Sequence, residues 1–337
     1  MRKFSLAILA LLFLFMGYAS IAAPKKKDKI DKEIDAARKK TNDTVVTCSP
    51  AGKVPGTLTI EEAAKKLRPG MILRLLPGHY NPLELVVFDQ DRLIVESDNS
   101  GGYVDLPLYL YGKDCIVRNI NIRGVEADSG VIVDTKAHGI SITSGSKKGT
   151  AIVANCAANH LTFYDNAQDI TIRNTSVVDG VQVKDEGRVV ATRTYSTHTI
   201  GVYDLISFGK MDKKGKITFQ NCMFFSEGHL FSGDEVSMKL ITLTLDDNLI
   251  WCKRSLYRLG GKDKSEIKTV DGLGKYFAMG KDAKNVLVKP PLKLVPNENW
   301  GWDMRPGIFI VTSGPGSSKE YGCNMSEGKG LPIPAED

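Results

Sequence analysis

An all-β solenoid of stacked coils, a parallel β-helix, is the fold that this 337-residue sequence predicts. Three observations predict it. Short strand-like runs return at intervals of about two dozen residues. Asparagines recur just after the second run of several units. No stretch carries the long helical periodicity that crossover helices of a Rossmann fold or barrel need.

The runs that open successive units are Leu108–Gly112, Gly130–Asp134, Leu161–Asp165, Gly180–Lys184, Leu205–Gly209, His229–Gly233 and Ser255–Leu259. Their starts lie 22, 31, 19, 25, 24 and 26 residues apart. Second strands are clearest at Cys115–Asn119, Ile140–Ile142, Ile170–Asn174 and Ile217–Asn221, and third strands at Ile120–Ile122, Ser176–Val178, Met223–Phe225 and Leu249–Trp251. Alternating apolar and polar residues put one face of each strand inside. Asn119, Asn174, Asn221 and Asn248 stand at the corner after the second strand, where Asn tolerates a left-handed backbone and can form a stacked ladder. They read as structural.

Ahead of the repeats, Thr57–Leu67 has helical spacing, with Thr59 as N-cap and Glu61 and Glu62 in the first turn. Arg68-Pro69-Gly70 breaks it. A strand over Met71–Leu76 and a second turn at Pro77-Gly78-His79-Tyr80 follow. This helix, turn, strand and turn resembles the opening of right-handed β-helix proteins of the pectate-lyase-like superfamily (the pectin lyase fold). The resemblance covers roughly residues 57–287. It implies a right-handed coil, a short N-terminal helix that caps the first coil and protects its open edge, and substrate lying along the stacked first strands.

The ends divide the chain further. A basic start at Arg2 and Lys3, an apolar run over Phe4–Met16 and small residues before Pro24 predict a signal peptide at 1–22 and an exported protein: secreted, periplasmic or at the cell surface. Residues 23–56 read as a charged linker and N-terminal segment, its basic stretch a solvated tether. The β-helix is expected over 57–290 and an irregular C-terminal layer over 291–337. No later segment is apolar enough to span a bilayer. The formal charge is +6, but Arg2, Lys3 and the eight basic residues of 24–43 account for it. Without them and the five acidic residues of that stretch, 35 basic residues face 34 acidic ones, so nothing points to nucleic acid. A monomer is expected. The six cysteines form no CxxC or Cys/His cluster and read at least as readily as buried single thiols as bridges.

Chemistry is sought on the outward residues of the first strands. One column runs Tyr111, Asp134, Tyr164, Lys184, Lys210, then Ser232 or Asp234, and Arg258. A parallel one holds Tyr109, Ile132, Thr162, Gln182, Ser207 and Tyr257. Tyrosines offer flat apolar faces to sugars, and Lys and Arg neutralise uronate carboxylates. The sharp expectation is a polysaccharide lyase acting on an acidic glycan by β-elimination, with Lys184 or Lys210 as base and Arg258 as charge stabiliser. Tyr109, Tyr111, Asp134, Tyr164, Gln182, Asp234 and Tyr257 would bind substrate. Ca²⁺ stays open as a cofactor, since Asp134 and Asp234 hold it only if further oxygens join them. His79, His138, His160 and His198 read as turn or surface residues, and His229 as an alternative base. The competing classes are a non-catalytic glycan-binding protein and a structural or adhesion solenoid.

Overall fold

The structure, a computed structural model, describes residues 27–39, 41, 43–98, 102–143, 150–164, 169–179, 181–183, 189–191, 204–210, 214–226, 228–259, 262–263, 267–280, 285–287, 292–294 and 309–311. The expected signal peptide and most of the expected C-terminal layer lie outside them. No described helix is long and apolar enough to cross a membrane.

Strands pair in parallel with the equivalent strand one coil on, in three ladders. Ladder A joins Val45–Cys48, Ile72–Leu75, Ile94–Ser97, 115–118, 130–133, Thr150–Ala154, Asp169–Arg173, Gly215–Gln220, Ile241–Asp246 and Ala278–Met279. Ladder B joins Gly78–His79, 103–105, 120–122, 135–137, 157–158, Ser176–Asp179, Met223–Ser226, Leu249–Cys252 and Val286–Leu287. Ladder C joins Val87–Phe88, 107–110, 124–127, 139–142, 160–164, Asp204–Phe208, His229–Gly233 and Tyr257–Leu259. Long strands such as Cys115–Ala127 and Gly130–Thr143 turn the corners and merge the ladders into one curled sheet of 22 strands. The chain is therefore mostly β and compatible with a parallel solenoid.

The coils are less regular than the sequence rhythm suggests. Ile94 pairs with Ile116, twenty-two residues on, but Ile116 pairs with Val131, only fifteen on. Ile170 pairs with Ile217, forty-seven on. The run at Gly130 thus opens ladder A, whereas those at Leu108, Leu161, Leu205, His229 and Ser255 serve ladder C. The run expected at Gly180–Lys184 contributes Val181–Val183, which pairs antiparallel with Val189–Ala191 outside the ladders.

Inward side chains make one continuous core. Aliphatics fill the early coils, and stacked phenylalanines the later ones: Phe163, Phe208 and Phe231 follow one another at 5.6 and 5.8 Å between ring centroids. Six successive corners between ladders A and B place Asn119, Asp134, Asn155, Asn174, Asn221 and Asp247 at φ between 49° and 58°. Asn and Asp enter this left-handed region at least cost among residues with a Cβ. The expected corners at 119, 174 and 221 are as read; at the last, Asp247 takes the conformation and Asn248 follows it. At four of these corners the next residue is a small threonine or cysteine. Thr135, Cys156, Thr175 and Cys222 each donate to the carbonyl two residues back. Two cysteines thus occupy a position that threonine also fills. The described cysteines are free thiols, and burial pushes that of Cys222 up to about 12.

Two helices belong to the N-terminal part. Helix α1 (Lys29–Arg38) replaces part of the expected tether. Its Asp28–Asp31 capping box starts it, and it buries Ile34 and Ala37 against the outer face of ladder A, on Val133, Ile152 and Ala154. Helix α2 (Ile60–Lys66) has the predicted cap: Glu62 N donates to Thr59 Oγ1 at 3.2 Å, and Thr59 N to Glu62 Oε2 at 3.0 Å. Ile60, Ala63 and Leu67 join the core beside Cys48 and Leu73.

Candidate functional site

Parallel register decides which residues stand side by side on the outside. On ladder C, Leu108, Val125, Ile140, Leu161, Ile206, Phe231 and Tyr257 point in, so the residue after each points out. The outward column is Tyr109, Glu126, Ser141, Thr162, Ser207, Ser232 and Arg258, all half-buried. Six coil steps at about 4.8 Å make it roughly 29 Å long.

A second column flanks it at the C-terminal ends of the same strands. The Tyr111 hydroxyl donates to Glu126 Oε1 at 2.5 Å, and the Thr143 hydroxyl to Asp128 Oδ1 at 2.6 Å. Burial, then the Glu126 carboxylate, pushes the Tyr111 phenol up. Tyr164 is exposed, and its ring lies against the chain at Gly209, where a Cβ would come within 2.6 Å of it. Only glycine leaves the tyrosine that resting place.

At the late end of the ridge, Ser207 Oγ and Ser232 Oγ are 3.1 Å apart, and Arg258 Nη1 approaches Asp204 Oδ2 at 3.4 Å. The Asp204 side chain is 10% exposed, and its Oδ1 has no partner among the described residues. Burial pushes this carboxyl up to about 6, against the pull of Ser232 and Arg258.

The structure brings together only part of the predicted set. Tyr109 and Arg258 stand in the outward column, with Tyr111 and Tyr164 beside it. Lys210 is exposed just past Gly209. Lys184 lies outside the described residues, and Gln182 sits on the antiparallel pair away from the ladders. Tyr257 turns into the core, because the strand enters one residue later than its pattern suggested and Arg258 takes the outward place. Asp134 is on ladder A's corner, buried, with its oxygens taken by Arg38 at 2.7 Å each and by Asn155 Nδ2. Asp234 caps the short helix α3 (Glu235–Lys239), accepting from Val236 N, Ser237 N and the Ser237 hydroxyl, which hold it below the usual carboxylate range. Asp134 is thus committed to Arg38 and Asn155, and Asp234 to its helix cap. Among the described residues no group of three or more His, Cys, Asp or Glu is arranged to hold a metal.

Of the predicted alternatives, His229 is buried with Nδ1 2.8 Å from Ser255 Oγ. His79 pairs with Asp105 at 2.6 Å on ladder B, and His138 and His160 meet edge to face at 5.1 Å. Burial, helped by His138, lowers His160 to about 4.

Asp204, Glu126 and Ser141 were missed. Glu126 and Ser141 lie on coils inside long strands, where no turn residue marks a new unit. Asp204 directly precedes the apolar run at Leu205, and its position was the only signal available. Comparison of the chain with protein-family models, with curated proteins and with solved structures finds no match in any of the three.

Proposed function

We propose that the chain is an exported protein that binds an acidic polysaccharide along ladder C, and that in its sharpest form it is a lyase cleaving that glycan by β-elimination. The fold within this proposal is a right-handed parallel β-helix of the pectate-lyase-like kind, with α2 closing the first coil. What supports the function is the outward column of ladder C: hydroxyls from Ser141 to Ser232 between Tyr109 and Arg258, spaced one per coil. Such spacing suits successive rings of an extended sugar chain. Arg258 meets a uronate carboxylate, and Lys210, exposed beside the ridge, takes the C5 proton. Lys184 is the other candidate base.

A non-catalytic glycan-binding or adhesion solenoid is the second reading. It is favoured by Tyr164, whose exposed ring grips sugar without needing a base.

The test follows the ultraviolet absorbance of unsaturated uronide while the protein is incubated with a panel of acidic polysaccharides, with and without Ca²⁺. The expected outcome is a rise that Arg258→Ala cuts by roughly a hundredfold. Binding without any rise selects the second reading. Neither binding nor cleavage across the panel sinks both glycan readings.

A further inference from the structure

We propose that Asp204 is the proton donor of the ladder C ridge, and that a uronate carboxylate arriving at Arg258 is what loads its proton; this rests on the acidic-glycan reading. Two features of Asp204 carry the inference. One oxygen, Oδ2, faces Arg258 Nη1 at 3.4 Å. The other, Oδ1, is buried with no partner among the described residues. One side of the carboxyl is therefore held while the other, buried and unpaired, is where a proton would sit; Ser232 faces the same carboxyl, and its hydroxyl stands 3.1 Å from that of Ser207.

The groups facing Asp204 come from several elements. They are Arg258 on Tyr257–Leu259, Arg254 in the turn before it, Ser232 on His229–Gly233, and Cys252 at the end of Leu249–Cys252. The Cys252 thiol is pushed up by burial and by Asp204, so it stays neutral. His229 pairs with Asp204 in register, but its ring engages Ser255. Among the described residues, positive charge at the site thus comes from the two arginines. Arg258, 28% exposed, is the one at which a glycan carboxylate arrives on the ridge.

When that happens, Arg258 is shared between two carboxylates, and the buried one gives way by taking up a proton. The free carboxyl already sits at about 6, so a modest further rise protonates it at neutral pH. The elimination then balances. A base removes the C5 proton, and the C5–H electron pair becomes the C4–C5 double bond. The C4–O4 bond breaks, and O4 leaves with a proton handed from Asp204 through the Ser232 hydroxyl, so that Asp204 returns to its ionised form. Arg258 holds the substrate carboxylate while charge builds on it.

Proton uptake can be measured without turnover. Short oligomers of galacturonate and of mannuronate are titrated calorimetrically into the full chain at neutral pH, in two buffers of different ionisation enthalpy. The expected result is uptake of roughly half a proton or more per binding event. Asp204→Asn abolishes the uptake and keeps the binding, and a methyl-esterified oligomer binds without it. Wild-type binding with no uptake overturns the proposal and leaves the glycan reading standing. Uptake that persists in Asp204→Asn or with the methyl ester overturns it as well. Absence of binding by every uronate oligomer overturns both.

Discussion

The outer faces of ladders A and C are built on the same coils and finished in opposite ways. At the end of ladder A the register column reads Arg74, Glu96, Arg118, Val133, Ala154, Arg173, Gln220 and Asp246. Its two apolar members lie in the middle, and α1 lies on them. Ten helical residues span about 15 Å, and the three coil steps from Arg118 to Arg173 span about 14 Å. The helix fits between two arginine clamps. Arg173 binds Asp28 at 2.7 Å and Asp31 at 2.5 Å, and Arg118 donates to the carbonyls of Ala37 (2.9 Å) and Lys39. Arg38 closes the contact on Asp134. Ladder C's column is instead four hydroxyls, a tyrosine, a carboxylate and an arginine, all half-exposed. An apolar stretch of outer face calls for a cover, whereas a polar column that stays half-exposed among the described residues offers hydrogen bonds to a ligand.

The difference can be broken at its largest effect first. Arg38→Ala leaves Asp134, 5% exposed at its side chain, as a buried charge short of its main partner. The expected loss is about 3 kcal/mol, read as a fall in the denaturant midpoint. Loss below about 0.5 kcal/mol would mean that α1 is a surface ornament rather than part of the wall.

Face C has its own costly group, and pH exposes it. Asp204 holds its proton more tightly folded than unfolded, since about 6 lies above the ordinary aspartate value of 3.8. Its contribution is full below the unfolded value and is lost as pH rises through the folded one. Between about pH 4 and 6 the folded state should lose stability of the order of 2–3 kcal/mol. Asp204→Asn should flatten that slope in a series of unfolding curves. An unchanged slope would place the titrating group elsewhere.

The smallest effect on stability is the sharpest on function. Tyr164→Ala removes an exposed ring and should shift stability by less than about 0.5 kcal/mol. It should weaken glycan binding about tenfold, measured by affinity electrophoresis. A large stability loss with unchanged binding would reverse the assignment of this face.

Local chemistry carried the early coils and the corners. The Thr59–Glu62 cap, the strand after Pro69-Gly70, and Asn119, Asn174 and Asn221 act through bonds and dihedrals within a few residues, so the sequence reads them directly. The alternation that marks strands survives for the same reason. The wall and the ridge are not local. α1 looks like a charged tether because the groups that hold it, Arg118, Asp134 and Arg173, lie about 80 to 145 residues away. Whether Arg258 or Tyr257 faces out, and whether Glu126 joins Tyr109, depends on register between coils whose spacing ranges from fifteen to forty-seven residues. By itself the sequence determined that strands of this kind form and where they turn. Only the tertiary structure decided which residues share an outer face, because a one-residue slip against the neighbouring coil reverses every side chain.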